Sequence, residues 1–434
     1  MSIQYALRND TDWHTETAWQ VPDTPFMSFA FWQALEDTGA IGEDAGWLPI
    51  YIALYETDNE AAEAADKADK TLLAVLPVFI KGHHHGEFVF DYQWAEAYAH
   101  YGLDYYPRLV TSVPYTPITG MRFWLRESVT LDAELVTAAV AAIDDIARQT
   151  GASGWHGLFV RRALAQLAGQ LFSYKDVSTA APNIKLAHID ANLPILERQG
   201  CQFLWHNYQR DTEQPFSDFD DFLQTLTAKK RKTIRAERRK VANAGITCVR
   251  KCGADITHED WQIFYQCYVM TYAERGQRPY LSQAFFMQLA TTMSAHLMLA
   301  QALDATGQVV ASSLFLYDTA ETAGDVSSLY GRYWGSLAHY DSLHFELCYY
   351  QGIEFAIERR LQAFDPGTQG EHKLIRGFVP TRTHSLHRMY DVRFVPALAQ
   401  FCAKDRAHMQ AYRREAHAAL PFNIHHTPPI EDAL

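Results

Sequence analysis

The stretch from Asp341 to Gly377, DSLHFELCYYQGIEFAIERRLQAFDPGTQGEHKLIRG, restricts the fold of this 434-residue chain more than any other. Leu343, Leu347, Tyr350, Ile353 and Ile357 recur at spacings of three and four, the period of a helix with one buried face. The same turns carry His344, Glu346, Tyr349, Gln351 and Glu354, more polar groups than core packing asks for. Leu361 to Phe364 reads as a short strand and Asp365-Pro-Gly as a turn. The loop after it gathers Gln369, Glu371, His372, Lys373 and Arg376. A helix, a strand and an ionisable loop in that order predict one wall of a reaction site.

The rest of the chain is bounded by length and charge. Its length suggests roughly two to three domains or one large one. Apolar residues make up 48%, enough for substantial cores, and no run approaches ~18 apolar residues, the length of a membrane span. The N-terminal MSIQYALRNDTDWH lacks the basic start and apolar stretch of a signal peptide. The chain therefore reads as soluble and cytoplasmic, with peripheral membrane contact left open. Six cysteines form no C-x-x-C pair and read as reduced, mostly buried thiols. His83, His84 and His85 do not predict a metal, because neighbours on a regular strand alternate sides. Net charge is −13, but residues 1–200 hold 13 Lys+Arg against 26 Asp+Glu, whereas residues 201–434 hold 25 of each. Two halves with different tasks follow, and any anion site must be local.

In the first half, Phe26 to Thr38 and Leu131 to Thr150 have helical periods. Trp47 to Tyr55, Leu72 to Lys81, Gly154 to Val160 and Cys201 to His206 read as strands, and Arg161 to Phe172 as a further helix. The acidic, Ala-rich residues 56–70 are expected as an exposed hairpin tip. Residues 83–110 contain eight aromatics, Phe88, Phe90, Tyr92, Trp94, Tyr98, Tyr101, Tyr105 and Tyr106, which suit a dense core or a pocket lining. Residues 207–216, mostly polar, mark the expected boundary.

The second half opens on a helix entry with Ser217 as the expected N-cap. From Lys229 to Lys240, eight of twelve residues are basic: Lys229, Lys230, Arg231, Lys232, Arg235, Arg238, Arg239 and Lys240. Gly245 closes that helix. Helices at Trp261 to Ala273 and Gln283 to Met293 follow, then Leu297 to Leu303, Val309 to Tyr317 and Ser327 to Trp334 as an antiparallel meander. Each half mixes helices and strands in a similar order, which supports two α/β lobes.

Several pieces, KKRKTIRAERRKVANAG, YGRYWG, HFELCYYQGIEFAIERR, GTQGEHKLIRGF and GEFVFDYQWAEAYAHYGLDYYPRL, resemble the FemAB-like group of N-acyltransferases in the GNAT superfamily. The likeness runs from about Trp47 to the start of the C-terminal tail. It implies an α/β (α+β) chain of two tandem GNAT-like lobes, with mixed, largely antiparallel sheets flanked by helices. Residues 1–206 would form one lobe, 217–420 the other with the basic helix 228–240, and 421–434 a tail. The Fem peptidyltransferases, more distant relatives, build peptidoglycan cross-bridges from aminoacyl-tRNA, so the resemblance also implies transfer of an acyl or aminoacyl group to an amine acceptor, with the site between the lobes. One departure stands out. The Q/R-x-x-G-x-G/A loop that holds the CoA pyrophosphate in many GNAT enzymes is missing; between Trp334 and His344 the chain reads GSLAHYDSL. Acyl-CoA and aminoacyl-tRNA both remain as donors.

Acyl transfer to an amine needs a base, a holder for the oxyanion and a positioned donor. His344, Glu346, Glu371 and His372 are candidate bases. Tyr330, Tyr333, Tyr349 and Tyr350 are candidate proton or hydrogen-bond donors. Arg332, Trp334, Gln369, Lys373 and Arg376, with the basic helix, are candidate substrate-binding groups, and arginine in particular suits phosphate oxygens. Each also has a structural reading: ion-pair networks gather such groups, Glu346 and Glu354 could lie on a solvated helix face, and a charge run is usually solvated. The competing function is a non-catalytic binding protein for a phosphorylated envelope precursor or RNA.

Overall fold

The computed structural model describes residues 2–57, 70–174, 193–209, 214–319, 326–368 and 370–430. The expected hairpin tip lies largely outside them, as does Gln369. The chain divides into two compact units, and the division is not linear. The first comprises Met1–Pro22, Ile41–Gly200 and Thr383–Met409; the second comprises Asp23–Ala40, Cys201–Arg382 and Gln410–Leu434. Both are mixed α/β, with largely antiparallel sheets flanked by helices.

In the first unit, strands Ser2–Arg8, Trp47–Thr57, Thr71–Lys81 and Arg108–Thr111 pair antiparallel in succession. Arg108–Thr111 then runs parallel to Gly154–Val160, which pairs antiparallel with residues 384–389 of the strand Val379–Met389. Helix Ala133–Thr150 starts at Asp132, whose side chain accepts from the Leu135 N–H, and ends at Gly151 with φ 67°. Its apolar stripe (Leu135, Ala139, Ile143, Ile146) packs on Ile52, Leu76, Leu109 and Trp155. Asp144 on the same helix is buried and takes two hydrogen bonds from Arg388, at 2.8 and 2.7 Å. The two-residue strand Trp124–Leu125 pairs antiparallel with Thr71–Lys81.

In the second unit the meander is present. Leu297–Leu303, Val309–Tyr317 and Ser328–Ser336 are antiparallel neighbours, with Thr247–Cys252 on the outer edge and Ala363–Asp365 parallel to Ser328–Ser336 on the other side. Helix His258–Ala273 lies directly on this sheet: a Cβ at Gly335 would fall 1.7 Å from the Cys267 carbonyl oxygen, so backbone meets backbone there. The helix-start expectation is corrected by one residue. Asp218, not Ser217, caps Phe219–Gln224, accepting from the Asp221 N–H at 2.8 Å; Ser217 instead donates to Asp221 at 3.1 Å.

Candidate functional site

Residues 343–358 are not one uniform helix. Leu343–Phe345 is α-helical, Glu346–Tyr350 forms a π-turn, and Gln351–Glu358 resumes the α-helix. A π-turn inserts one extra residue per hydrogen bond, and such turns concentrate at functional sites. Leu343, Leu347, Tyr350, Ile353 and Ile357 are buried, as the period predicts, but so are Glu346, Tyr349 and Gln351. Glu346 is therefore not on a solvated face; it is 4% exposed.

Two clusters join this helix to the basic helix Ala228–Asn243. In the first, Arg238 donates through Nε and Nη2 to both oxygens of Glu346, each at 3.0 Å, and through Nη1 to Glu354 at 2.6 Å. Gln351 donates to Glu346 at 2.8 Å, and the Arg238 guanidinium lies 4.8 Å from the Phe219 ring centre. Arg238 and Glu354 also line a hollow of about 450 Å³ with Phe219 and Ile357. In the second cluster Glu237, the lone acid in the basic run, accepts from Tyr350 and from Arg376 Nη2 at 2.7 Å. Arg376 Nε donates to the Tyr350 hydroxyl at 2.9 Å, and its guanidinium sits 3.5 Å over Phe345. Loop and basic helix thus meet by direct contact, and the loop does not line the hollow beside Arg238.

The histidines form a third group. The Tyr349 hydroxyl is 2.8 Å from His372 Nε2. The His344 ring stands 5.1 Å from Trp334 and 5.4 Å from Tyr349, centre to centre. Burial, then the nearby His372, Arg376 and Lys373, push His344 down to about 4. His372 is also lowered, by burial first and then by Lys373 and Arg376, but its side chain reaches solvent. Both imidazoles are neutral at pH 7 and have a lone pair for a proton. Burial raises the Tyr349 and Tyr350 phenols, so both hold their protons.

Lys373 is buried and donates to the Gly367 and Thr368 carbonyls at 2.7 and 3.0 Å; burial lowers it to about 8. Arg332 is the extra residue of a β-bulge, where Leu314 opposes Tyr333 and Phe315 opposes Gly331. It binds Asp365 at 2.7 Å. Tyr330 donates to Asp318 at 3.1 Å, and burial raises that carboxyl to about 7. Tyr333 is buried, and its hydroxyl has no hydrogen-bond partner among the described residues. Glu371 is exposed and accepts from the Tyr412 hydroxyl at 3.5 Å. On the basic helix, Arg231 pairs with Gln224, Arg235 with Asp220 at 2.8 Å and Lys240 with Asp341 at 2.7 Å. Lys229, Lys230, Lys232 and Arg239 form no ion pair among the described residues. Sequence reasoning missed Glu237, Asp318 and Asp365; an acid isolated among eight cations was the signal for Glu237.

The family described as peptidoglycan biosynthesis/recognition matches residues 7–424. The chain belongs to the FemAB-like family. No curated protein matches it. Among solved structures, this FemAB-like chain is similar to L-PGS from Bacillus licheniformis, at 10% identity and TM-score 0.44 over 89% of this chain and 99% of that one. It is similar to a conserved protein of unknown function from Bacteroides thetaiotaomicron VPI-5482, at 10% identity and TM-score 0.46 over 89% and 100%. It is also similar to Saccharomyces cerevisiae N-myristoyltransferase with bound myristoyl-CoA, at 10% identity and TM-score 0.34 over 90% and 79%. No helix among the described residues of this FemAB-like protein is long and apolar enough to cross a membrane.

Proposed function

We propose that this protein is an N-acyl- or aminoacyltransferase that moves its acyl group onto the amine of a cell-envelope precursor. The observation that carries the reading is the Tyr349–His372 contact at 2.8 Å, beside a neutral, half-buried His344. As the amine attacks the acyl carbonyl carbon it must lose a proton. The Tyr349 oxygen takes that proton while its own passes to His372 Nε2. The C–N bond forms as the bond from the acyl carbon to the donor's sulfur or ribose oxygen breaks. That leaving group takes up a proton as His372, which faces solvent, releases one. A positioned acid–base pair of this kind is worth about 10²–10⁴ in rate. Arg238 and Arg376 position the helix and loop, since their hydrogen bonds are already committed to protein partners. Lys229, Lys230, Lys232 and Arg239 are left to attract a phosphate-bearing donor, acyl-CoA or aminoacyl-tRNA. The FemAB-like membership supports an envelope acceptor.

The test is mass spectrometry of an acceptor pool incubated with protein and donor, comparing the wild type with a Glu371→Ala/His372→Ala double variant. A mass shift that falls steeply in a folded double variant is expected. Undiminished turnover removes both residues from the mechanism. No mass shift with either donor class favours a non-catalytic binding protein for a phosphorylated precursor or RNA.

A further inference from the structure

The first unit holds a concentration of chemistry that acyl transfer in the second does not use. Lys81, Glu87, Asp91 and Arg108 are all buried. Arg108 donates to both Glu87 and Asp91. Tyr105 donates to Asp91 at 2.5 Å, and Lys81 lies 3.6 Å from Glu87 and 3.3 Å over the Trp47 ring. Replacing buried ion pairs by apolar packing is often neutral or stabilising, so four charges here call for a reason beyond stability. What they hold is the backbone between Glu87 and Asp91. Phe88 sits there at φ 62°, a conformation that bulky residues rarely adopt. Such outliers gather at ligand sites because surrounding structure must enforce them.

The enforced segment delivers two rings to solvent. Phe90 and Tyr92 are each 48% exposed. They stack at 5.6 Å with an interplanar angle of 13°, and His84 stands edge-on to Tyr92 at 4.8 Å. The Phe90 carbonyl accepts from Arg198 at 3.0 Å, and Arg198 also binds Asp405 at 3.0 Å. Among the described residues, the cations that hold this segment, Lys81, Arg108 and Arg198, are thus buried or paired.

We propose that Phe90 and Tyr92 form a saccharide-binding platform that receives an uncharged sugar ring of the acceptor. The identity of the occupant rests on the envelope-precursor reading above. A pyranose offers one face of C–H bonds to an aromatic ring and turns its hydroxyls to water, so it needs no cation. A nucleic acid would need Lys or Arg for its phosphates; Lys81, Arg108 and Arg198 are already committed to protein partners, and residues 1–200 hold twice as many acids as bases. The large, rigid ring pair makes the contact at low entropic cost.

The test is calorimetric titration of the full chain with a soluble N-acetylglucosamine tetramer and, separately, with polyuridylate. The same titrations are run on Phe90→Ala/Tyr92→Ala, whose exposed positions leave the fold intact, as thermal unfolding will verify. Saturable sugar binding that weakens at least tenfold in the variant is expected. No saturable binding by the wild type, unchanged binding by the variant, or a preference for polyuridylate overturns the proposal. Acyl transfer to a sugar-free amine is measured alongside. A wild type that transfers but binds no sugar sinks the platform alone; one that binds sugar but never transfers sinks the transferase reading alone.

Discussion

Arg238 shows how much can depend on one side chain. Its guanidinium satisfies both oxygens of a Glu346 carboxylate that is almost wholly out of water. Breaking a buried pair from one side leaves an uncompensated charge, at a cost of about 3–5 kcal/mol. Arg238→Ala should lower stability by that order in urea unfolding, and Arg238→Lys should recover only part, because an ammonium cannot reproduce the two-point contact. Arg239→Ala, exposed and unpaired one position on, should change stability by less than about 0.5 kcal/mol. The single variants also separate two predicted bases. His372→Ala should slow transfer far more than Glu371→Ala, since His372 meets Tyr349 whereas Glu371 meets Tyr412. That difference was not legible in the chain, where the two are neighbours and equally ionisable.

At the scale of elements, close approach governs. At Gly335 the first carbon of any side chain would strike the backbone of helix His258–Ala273, and backbone cannot swing aside as a side chain can. Gly335→Ala should therefore cost more than about 3 kcal/mol, at the severe end for overpacking, read as a collapse of the thermal transition. The helix expected from Phe26 to Thr38 begins three residues later, at Phe29, whereas helix Ala133–Thr150, with its clean apolar period, was readable to within two residues at either end. The π-turn at Glu346–Tyr350 was not, because a periodic pattern does not register one inserted residue. Strand Val379–Met389 (VPTRTHSLHRM) escaped for another reason. Its His384, Ser385, His387 and Arg388 are buried, so no alternation of apolar and polar residues marks it; the Arg388–Asp144 pair that makes this burial tolerable spans 244 positions.

For the whole molecule, acid should be destabilising. His156 and His387 are fully buried, Nδ1 to Nδ1 at 2.7 Å, a contact in which one nitrogen donates and the other accepts. Burial first, then Arg108 for His156 and Arg198 for His387, holds both well below the ordinary histidine value. Folded, they stay neutral; unfolded, they bind protons below about pH 6.5. Their contribution is complete above that pH and declines as pH falls, by up to about 1.4 kcal/mol per pH unit for each. Urea unfolding at pH 7.5, 6 and 5 checks this, and His156→Gln/His387→Gln should flatten the slope. Charge should also set the salt response. Exchanging Lys229, Lys230, Lys232 and Arg239 for Gln should weaken binding of an aminoacyl-tRNA donor. It should also reduce the dependence of log K on log salt by about 0.7 per phosphate contact removed.

The helices and strands with a clear period, the meander, the acidic first half and the loop crowded with ionisable groups were determined by sequence alone, because periodicity, turn residues and charge are local properties. Tertiary structure alone decided which groups meet. It passed residues 23–40 and 383–409 to the unit a linear reading would not choose. It set Glu237 against Arg376 across 139 positions, and it turned His372 toward Tyr349 and Glu371 toward Tyr412. Such pairings depend on burial and on the direction of each side chain, and both are fixed only once distant segments pack.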